Sequence, residues 1–358
     1  MSSRFIASVL ETTALCVIGL AAFIGNLSLF IIVYKDKDLQ TVTNLYILNL
    51  AAADIMVSIL SIPFTLVTII EDRWVFGDTS CVALGFFTML SFISSVMSLG
   101  MIAINRYFYI VKWNSYHRTF SRKKALLYAA AVWVVATSLA SPPLLGWAEY
   151  RFIPGKSYCF VFWPSDVHFM YFMITVCFFG PLSAIILSYF NVLKFTRGLK
   201  RKLRRSRNIT PPPVRSFQSP TASEPGNNDI HIDTDISEKP QINVPRKNKS
   251  DSVLKSLESY VTPEETRITN TFLYAVTLFV FCWAPFAITM FFDVYYPKPL
   301  PRVLDMASLI LGYLNSMCNP LLYGMRNSTF KQGFLNLYSR FLPARYRPTN
   351  VTQLEINE

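Results

Sequence analysis

A chain of 358 residues that is 52% hydrophobic and only 16% charged is too apolar for a soluble domain, in which about a quarter of the residues carry charge. Its three histidines, His117, His168 and His231, are scattered and assemble no metal or nucleophile set, so no enzyme is expected. The net charge of +12 raises the question of a nucleic-acid partner, and the placement of the basic residues answers it below.

Uncharged runs cover 12–34, 79–105, 125–148, 167–193, 268–292 and 306–325, and another lies between Asp38 and Glu71, broken only by Asp54. Each reaches the roughly 20 residues that a helix needs to cross about 30 Å of hydrocarbon. Lipid offers no water to backbone N–H and C=O groups, so these runs are helices. The predicted fold is an all-α membrane protein, a seven-transmembrane helix bundle with helices 1–5 in residues 1–200 and helices 6–7 in 263–326. Between them, residues 201–262 are polar and hold Pro211-Pro212-Pro213 and the acidic Asp229, Asp233 and Asp235. Such composition buries too little apolar surface to offset chain entropy, which predicts a disordered third cytoplasmic loop. Phe330, Phe334, Leu337, Tyr338 and Phe341 predict a short amphipathic helix on the membrane surface over 327–342, followed by a cytoplasmic tail at 343–358. No cysteine follows the seventh run to carry a palmitoyl anchor. The first run lacks a basic lead and a small-residue cleavage site, so it reads as a retained helix. With about ten residues before it, no large outer binding domain is expected.

Basic residues orient the bundle. Lys35, Lys37, Lys112, Arg118, Arg122, Lys123, Lys124, the 197–207 cluster, Arg326, Lys331, Arg340, Arg345 and Arg347 share one side. The other side holds only Arg4, Arg73, Arg151, Lys156, Lys298 and Arg302. The positive-inside rule places the N-terminus outside and the C-terminus in the cytosol of a multi-pass plasma-membrane protein. The excess charge then faces the inner leaflet and a cytosolic partner, and no nucleic acid is needed. The sequons at Asn208, Asn248, Asn327 and Asn350 fall on the cytosolic side and the one at Asn26 lies within a helix, so no N-glycosylation is expected.

Cys16, Cys177, Cys282 and Cys318 lie inside helices as small packing residues. Cys81 and Cys159 face the oxidising side, and a bridge closing that long loop stabilises by about 3 to 5 kcal/mol on the chain-entropy model.

Asp54 is a carboxylate at mid-membrane, costing about 2.5–3.5 kcal/mol on insertion scales and pointing to function. Asn26, Ser95, Asn315, Ser316 and Asn319 lie at comparable depth, which fits either an oxygen cage for hydrated Na⁺ or an interhelical hydrogen-bond network. Arg106, within Asn105-Arg106-Tyr107, closes the third helix at its cytosolic end. It is either a snorkelling boundary residue or one half of a two-state latch with Glu265 at the start of the sixth. Pro63, Pro142, Pro143, Pro181, Pro285 and Pro320 fall within or at the ends of helices and bend them. Pro285 follows Cys282-Trp283-Ala284, placing a large aromatic beside a kink.

Gly25-Asn26, Leu50-Ala51-Ala52-Ala53-Asp54, Asn105-Arg106-Tyr107, Trp133, Pro181 with Tyr189, Phe279 with Cys282-Trp283-Ala284-Pro285, and Asn319-Pro320-Leu321-Leu322-Tyr323 occur in this order. Together they resemble the signature of rhodopsin-like (class A) G-protein-coupled receptors over about 1–342, outside the third inner loop. The resemblance implies that Arg106, flanked by Asn105 and Tyr107, contacts a heterotrimeric G protein in the active form, and that Tyr189 and Tyr323 support that form. Trp283 and Phe279 would transmit the ligand signal, with Asn319 and Pro320 in the switch. Asp54 with Ser95 and Asn315 would hold sodium. Basic inner ends of the fifth and sixth helices point by analogy to an inhibitory-type G protein, with arrestin as a further partner. The family usually has Asp or Glu where this chain has Asn105, so Arg106 would lean on Glu265 alone and basal activity is expected.

The same resemblance bears on the ligand. Amine receptors carry Asp at the position of Thr88, and opsins carry the retinal lysine at the position of Tyr313, so neither a protonated amine nor covalent retinal is expected. The loop from Gly146-Trp147 to Pro154-Gly155 is opsin-like. Ile102-Ala103-Ile104-Asn105-Arg106-Tyr107, Cys282-Trp283-Ala284-Pro285 and Tyr313-Leu314-Asn315-Ser316 are most similar to melatonin receptors, whose polar ligand contacts fall here on Pro143, Trp163 and Cys177. The chain is identified as a melatonin-receptor-like orphan. The expected pocket comprises Thr88, Met89, Phe92, Met173, Cys177, Trp283, Phe286 and Tyr313 under a lid of Phe160 and Phe162, suited to an extracellular uncharged or lipophilic small ligand. Two alternatives stay open: an opsin-related receptor with a noncovalent chromophore, and a constitutively active receptor without a dedicated ligand.

Overall fold

The computed structural model describes residues 3–207, 262–296 and 298–339. Its helices are α1 (Ser3–Lys35), α2 (Val42–Glu71), α3 (Asp78–Ile110), α4 (Arg122–Ala140), α5 (Val167–Lys202, helical onward to Arg207), α6 (Pro263–Tyr295), α7 (Arg302–Arg326) and α8 (Ser328–Leu337). A two-turn helix, Trp113–Thr119, links α3 to α4. Most of the expected third loop, 208–261, and the expected tail, 343–358, lie outside the described residues, as does Phe341. The loop boundary expected at 201 moves, because the helix runs on to Arg207.

Side-chain caps explain where the helices begin. Thr41 accepts from Asn44 N, Ser121 from Lys124 N, Asp166 from Phe169 N, Thr262 from Glu265 N, and Asn327 from Thr329 N and Phe330 N. Prolines explain the irregularities. The fourth run was expected to stay helical to 148, but α4 stops at Ala140 because Pro142 and Pro143 lack donors; a 3₁₀ turn, Pro142–Leu145, replaces the last turns. Widened π turns at Val57–Ser61 and Ile174–Phe179 sit just before Pro63 and Pro181, where the ladder loses a donor.

Among the described residues, α1 to α6 are long and apolar enough to cross a membrane. Helix α7 falls short of that apolarity although its run was expected to qualify. It turns Ser308, Asn315, Ser316 and Asn319 into the bundle, and packs against α1 and α6. Helix α3 is the axis, packed on α2, α4 and α5. Gly25 lets α1 approach α7, since a Cβ there would sit 2.6 Å from Pro320 Cγ. Cys16, expected to be a packing thiol, is exposed on the outer face of α1.

Over one end lies an antiparallel hairpin, β1 (Tyr150–Ile153) and β2 (Tyr158–Val161), with Tyr150 opposite Val161. Every residue of β2 is buried, and the Cys81–Cys159 disulfide ties the hairpin to the top of α3. Burial raises the hydroxyls of Tyr150 and Tyr158 well above the ordinary phenol range, so both stay protonated. The core forms two apolar clusters, one beneath the hairpin and one at the opposite end, and Phe92 and Trp283 pack against both.

Candidate functional site

Beneath the hairpin is a cavity of about 180 Å³, lined by Met89 and Phe92 of α3, Phe160 and Trp163 of the outer loop, Met173, Ile174, Cys177, Phe178 and Phe179 of α5, and Trp283, Phe286, Ala287, Met290 and Phe291 of α6. Among the described residues no charged side chain lines it, and the nearest cation noted is Lys156, whose Nζ is 5.8 Å from the Phe286 ring centroid. Met89, Phe92, Phe160, Met173, Cys177, Trp283 and Phe286 are brought together as expected from the sequence. Three expected residues are not. Thr88 is hydrogen-bonded to Ser61 at 2.7 Å, and with Tyr313 and Tyr158 it bounds a packed seam of only about 10 Å³. Helix rotation turns both residues toward α2. Phe162 faces the Arg151 guanidinium, 4.1 Å from its ring centroid, and lies off the cavity.

As lining residues, Trp163, Ile174, Phe178, Phe179, Ala287, Met290 and Phe291 were missed by sequence reasoning. Met290 is one helical turn beyond Phe286, a spacing that was readable. Phe178 and Phe179 reach the cavity wall from the π turn, whose extra residue per turn rotates the face of α5 and defeats a 3.6-residue count.

An aromatic chain runs from the lid into the bundle. Trp163 lies 6.0 Å from Phe160, Phe160 5.9 Å from Phe286, and Phe286 5.6 Å from Trp283. Trp283 lies 4.6 Å from Phe92 and 6.2 Å from Phe279. Gly312 makes room for the indole, whose nearest ring atom would be 3.2 Å from a Cβ there. A side chain at that position would crowd the ring beside the Pro285 kink.

Below it sits the polar core. Asn319 donates to Asp54 Oδ2 at 2.8 Å, and Asn26 donates to Ser316 O at 3.0 Å. Asn49 donates to Ser98 at 2.8 Å and accepts from Trp133 at 2.7 Å. The buried oxygens Asn26 Oδ1, Ser94 Oγ, Ser95 Oγ and Asn315 Oδ1 have no partner among the described residues. A buried polar oxygen without a partner is uncommon, so these four mark places in the bundle that a small polar or ionic group could satisfy. Among the described residues no group of three His, Cys, Asp or Glu forms a metal site.

At the end opposite the hairpin, Arg106 Nη1 donates to Glu265 Oε2 at 2.7 Å, with the guanidinium 5.3 Å from the Phe272 ring and 5.5 Å from Tyr109. Glu265 stands in the first turn of α6, where the Thr262 cap and the helix dipole favour a carboxylate. Asn105 accepts from Thr43 at 2.8 Å and donates to the Tyr116 hydroxyl at 3.3 Å, so it ties α3 to α2 and to the two-turn helix. Burial raises the Tyr116 hydroxyl above its ordinary range, against the opposing Asn105 hydrogen bond. Tyr107 follows Arg106 and is half-buried. Tyr189 and Tyr323 are buried, and their hydroxyls lack partners among the described residues. Phe330 of α8 packs beneath Tyr323, the ring centroids 6.2 Å apart.

Outside the expected set is a buried cation. Lys156, on the hairpin turn, is 2% exposed and pairs with Asp293 of α6 at 2.9 Å and Asp305 of α7 at 2.8 Å. A lone lysine in an outer loop carries no sequence signal for such a cluster.

Comparison with known proteins agrees with this geometry. The chain matches the model of the 7 transmembrane receptor (rhodopsin family) over residues 25–323. It is 29% identical to the rat (Rattus norvegicus) alpha-1D adrenergic receptor over 89% of this chain, and spans only 56% of that receptor's length. It is 26% identical to the rat melatonin receptor type 1B, covering 92% of this chain and 77% of that one. It is 24% identical to G-protein coupled receptor 161 of Xenopus tropicalis, over 92% of this chain and 60% of that one. Its fold superposes on squid rhodopsin with a TM-score of 0.72 at 19% identity, over 97% of this chain and 90% of that one. The seven-helix bundle, the hairpin lid held by its disulfide, and the family match over most of the chain lead to one conclusion: this multi-pass membrane protein belongs to the rhodopsin family of seven-transmembrane receptors.

Proposed function

We propose that this protein is a plasma-membrane receptor that converts binding of an uncharged or lipophilic small molecule into activation of a heterotrimeric G protein. Its N-terminus would face outward and its C-terminus the cytosol. The observation that carries this reading is the aromatic chain from the cavity at Phe286 through Trp283 and Phe92 to Phe279, in the same bundle as the Arg106–Glu265 pair. A ligand pressing on Trp283 acts on α6 beside Pro285, where the helix lacks one ladder bond. Swinging α6 parts Glu265 from Arg106 and frees the guanidinium for a G protein, together with Asn105 and Tyr107. Tyr189 and Tyr323 hold spare hydroxyls for the rearranged form, with Asn319 and Pro320 as the bend in α7.

Among the described residues the cavity wall carries no counter-ion, so a protonated amine lining up there would be desolvated without a carboxylate partner in the wall. This disfavours an amine, despite the similarity to an adrenergic receptor. Asp54, Ser95 and Asn315 would hold Na⁺, which supplies positive charge at the polar core and favours the closed arrangement. Nucleotide exchange on purified G proteins, inhibitory type first, tests the reading against indoles, lipids and retinoids. Activation is expected for at least one lipophilic class and is lost in Arg106→Ala. Exchange that no probe alters, and that Arg106→Ala leaves unchanged, overturns it.

A second reading, ligand-free activity, is favoured by Asn105, which binds Thr43 and Tyr116 and leaves Glu265 as the charged partner of Arg106.

A further inference from the structure

The cavity is roofed by the hairpin and walled on one side by two phenylalanines that also reach the bundle surface. On the outer side the hairpin is held three ways. A disulfide joins Cys159 to α3, Lys156 is clamped between Asp293 and Asp305, and Arg302 donates to Glu11 at 2.9 Å and to Pro154 O at 3.2 Å. Lifting the hairpin leaves buried charges unpaired, one of the more costly events in a folded protein. The side wall differs. Among the described residues, its lining side chains from α5 and α6 are apolar throughout. Two of these, Phe179 and Phe291, are 58% and 37% exposed on the outer surface of the bundle while also lining the cavity. Helix α5 packs mainly on α3 and α6 mainly on α7, and Phe179 ends the π turn, where α5 loses regular packing. The gap is bounded at its outer end by the Tyr171–Tyr295 hydrogen bond, 2.7 Å. A rotamer change of two phenylalanines is far easier than breaking the ion cluster.

We propose that the ligand reaches the cavity from within the bilayer, through the gap between α5 and α6 gated by Phe179 and Phe291, and is therefore an apolar molecule that partitions into lipid. The hairpin is a fixed lid. This rests on reading the cavity as the ligand site. The physical reason is concentration as well as path: each methylene gains about 0.8 kcal/mol in the bilayer, so such a molecule arrives at the helix wall, not at the hairpin.

Cys177, buried in the cavity wall, is a built-in reporter. The full-length protein in lipid nanodiscs is treated with apolar N-phenylmaleimide or with a sulfonated, charged maleimide, and modification of Cys177 is followed by site-resolved mass spectrometry. The apolar reagent is expected to modify Cys177 and the charged one to lag by at least about tenfold, the ratio for one rate decade. Phe179→Trp, which narrows the gap, should slow the apolar reagent severalfold, and Phe179→Ala with Phe291→Ala should speed it. Lys156→Gln, which loosens the lid, should leave the apolar rate unchanged. Equal rates for both reagents, or an apolar rate that follows Lys156→Gln and ignores Phe179→Trp, overturns the proposal. The readout needs no G protein, so a failed signalling assay and a failed gate are separate results.

Discussion

Arg106 places a full charge where only 6% of its surface is exposed, and one carboxylate oxygen of Glu265 meets it. The family resemblance supplies a second acid beside this arginine, but here that position is Asn105, which spends both ends of its amide on Thr43 and Tyr116. Between the ends of α3 and α6, the Arg106–Glu265 ion pair stands beside the contact of the guanidinium with the Phe272 ring. A pair with one side chain a fifth exposed lies between a surface bridge of about 0–1 kcal/mol and a buried one of about 3–5. Glu265→Gln is accordingly expected to raise ligand-free nucleotide exchange about tenfold, the shift produced by roughly 1.4 kcal/mol; an unchanged basal rate would remove the latch. Asn105→Asp supplies the missing acid and should lower basal exchange below the native rate. If native and variant signal equally without ligand, Asn105 has no part in basal activity.

At the scale of elements, the hairpin and α1 make opposite demands on their neighbours. Held to α3 by a disulfide across 78 residues of sequence, the hairpin buries all of β2 over the cavity. Replacing Cys81 and Cys159 together by Ser frees that loop in the unfolded chain, a loss of about 3 to 5 kcal/mol. The melting temperature in detergent should fall by several degrees, and an unchanged melting curve would mean that the ion cluster alone holds the lid. Helix α1 makes its approach to α7 through an absent side chain. A methyl at Gly25 would collide with Pro320, so Gly25→Ala should destabilise by about 1–3 kcal/mol through overpacking, read as earlier thermal unfolding. Where α2, α4 and α6 begin is set by the caps Thr41, Ser121 and Thr262, which a count of uncharged residues does not register. The early stop of α4 followed from Pro142 and Pro143, which a count of uncharged residues ignores.

For the whole molecule, the polar core draws on α1, α2, α3 and α7 at once, and its worth depends on those helices staying together. Replacing choline by sodium at constant ionic strength should raise the melting temperature of the native protein and leave Asp54→Asn unmoved. Equal responses would show that the unpaired oxygens of Asn26, Ser95 and Asn315 do not serve a cation. Sequence alone determined the membrane class and most of the helical spans, and it singled out Asp54, Arg106 and Trp283 as candidates, since apolar length and motif spacing are local properties of the chain. Tertiary structure decided which side chains share a space. A helix rotation sent Thr88 and Tyr313 into a packed seam, a π turn brought Phe178 and Phe179 to the cavity, and Lys156 became a buried cation only when the hairpin met α6 and α7. The physical reason is that spacing specifies a face, whereas what that face meets depends on the rotation and packing of helices far apart in sequence.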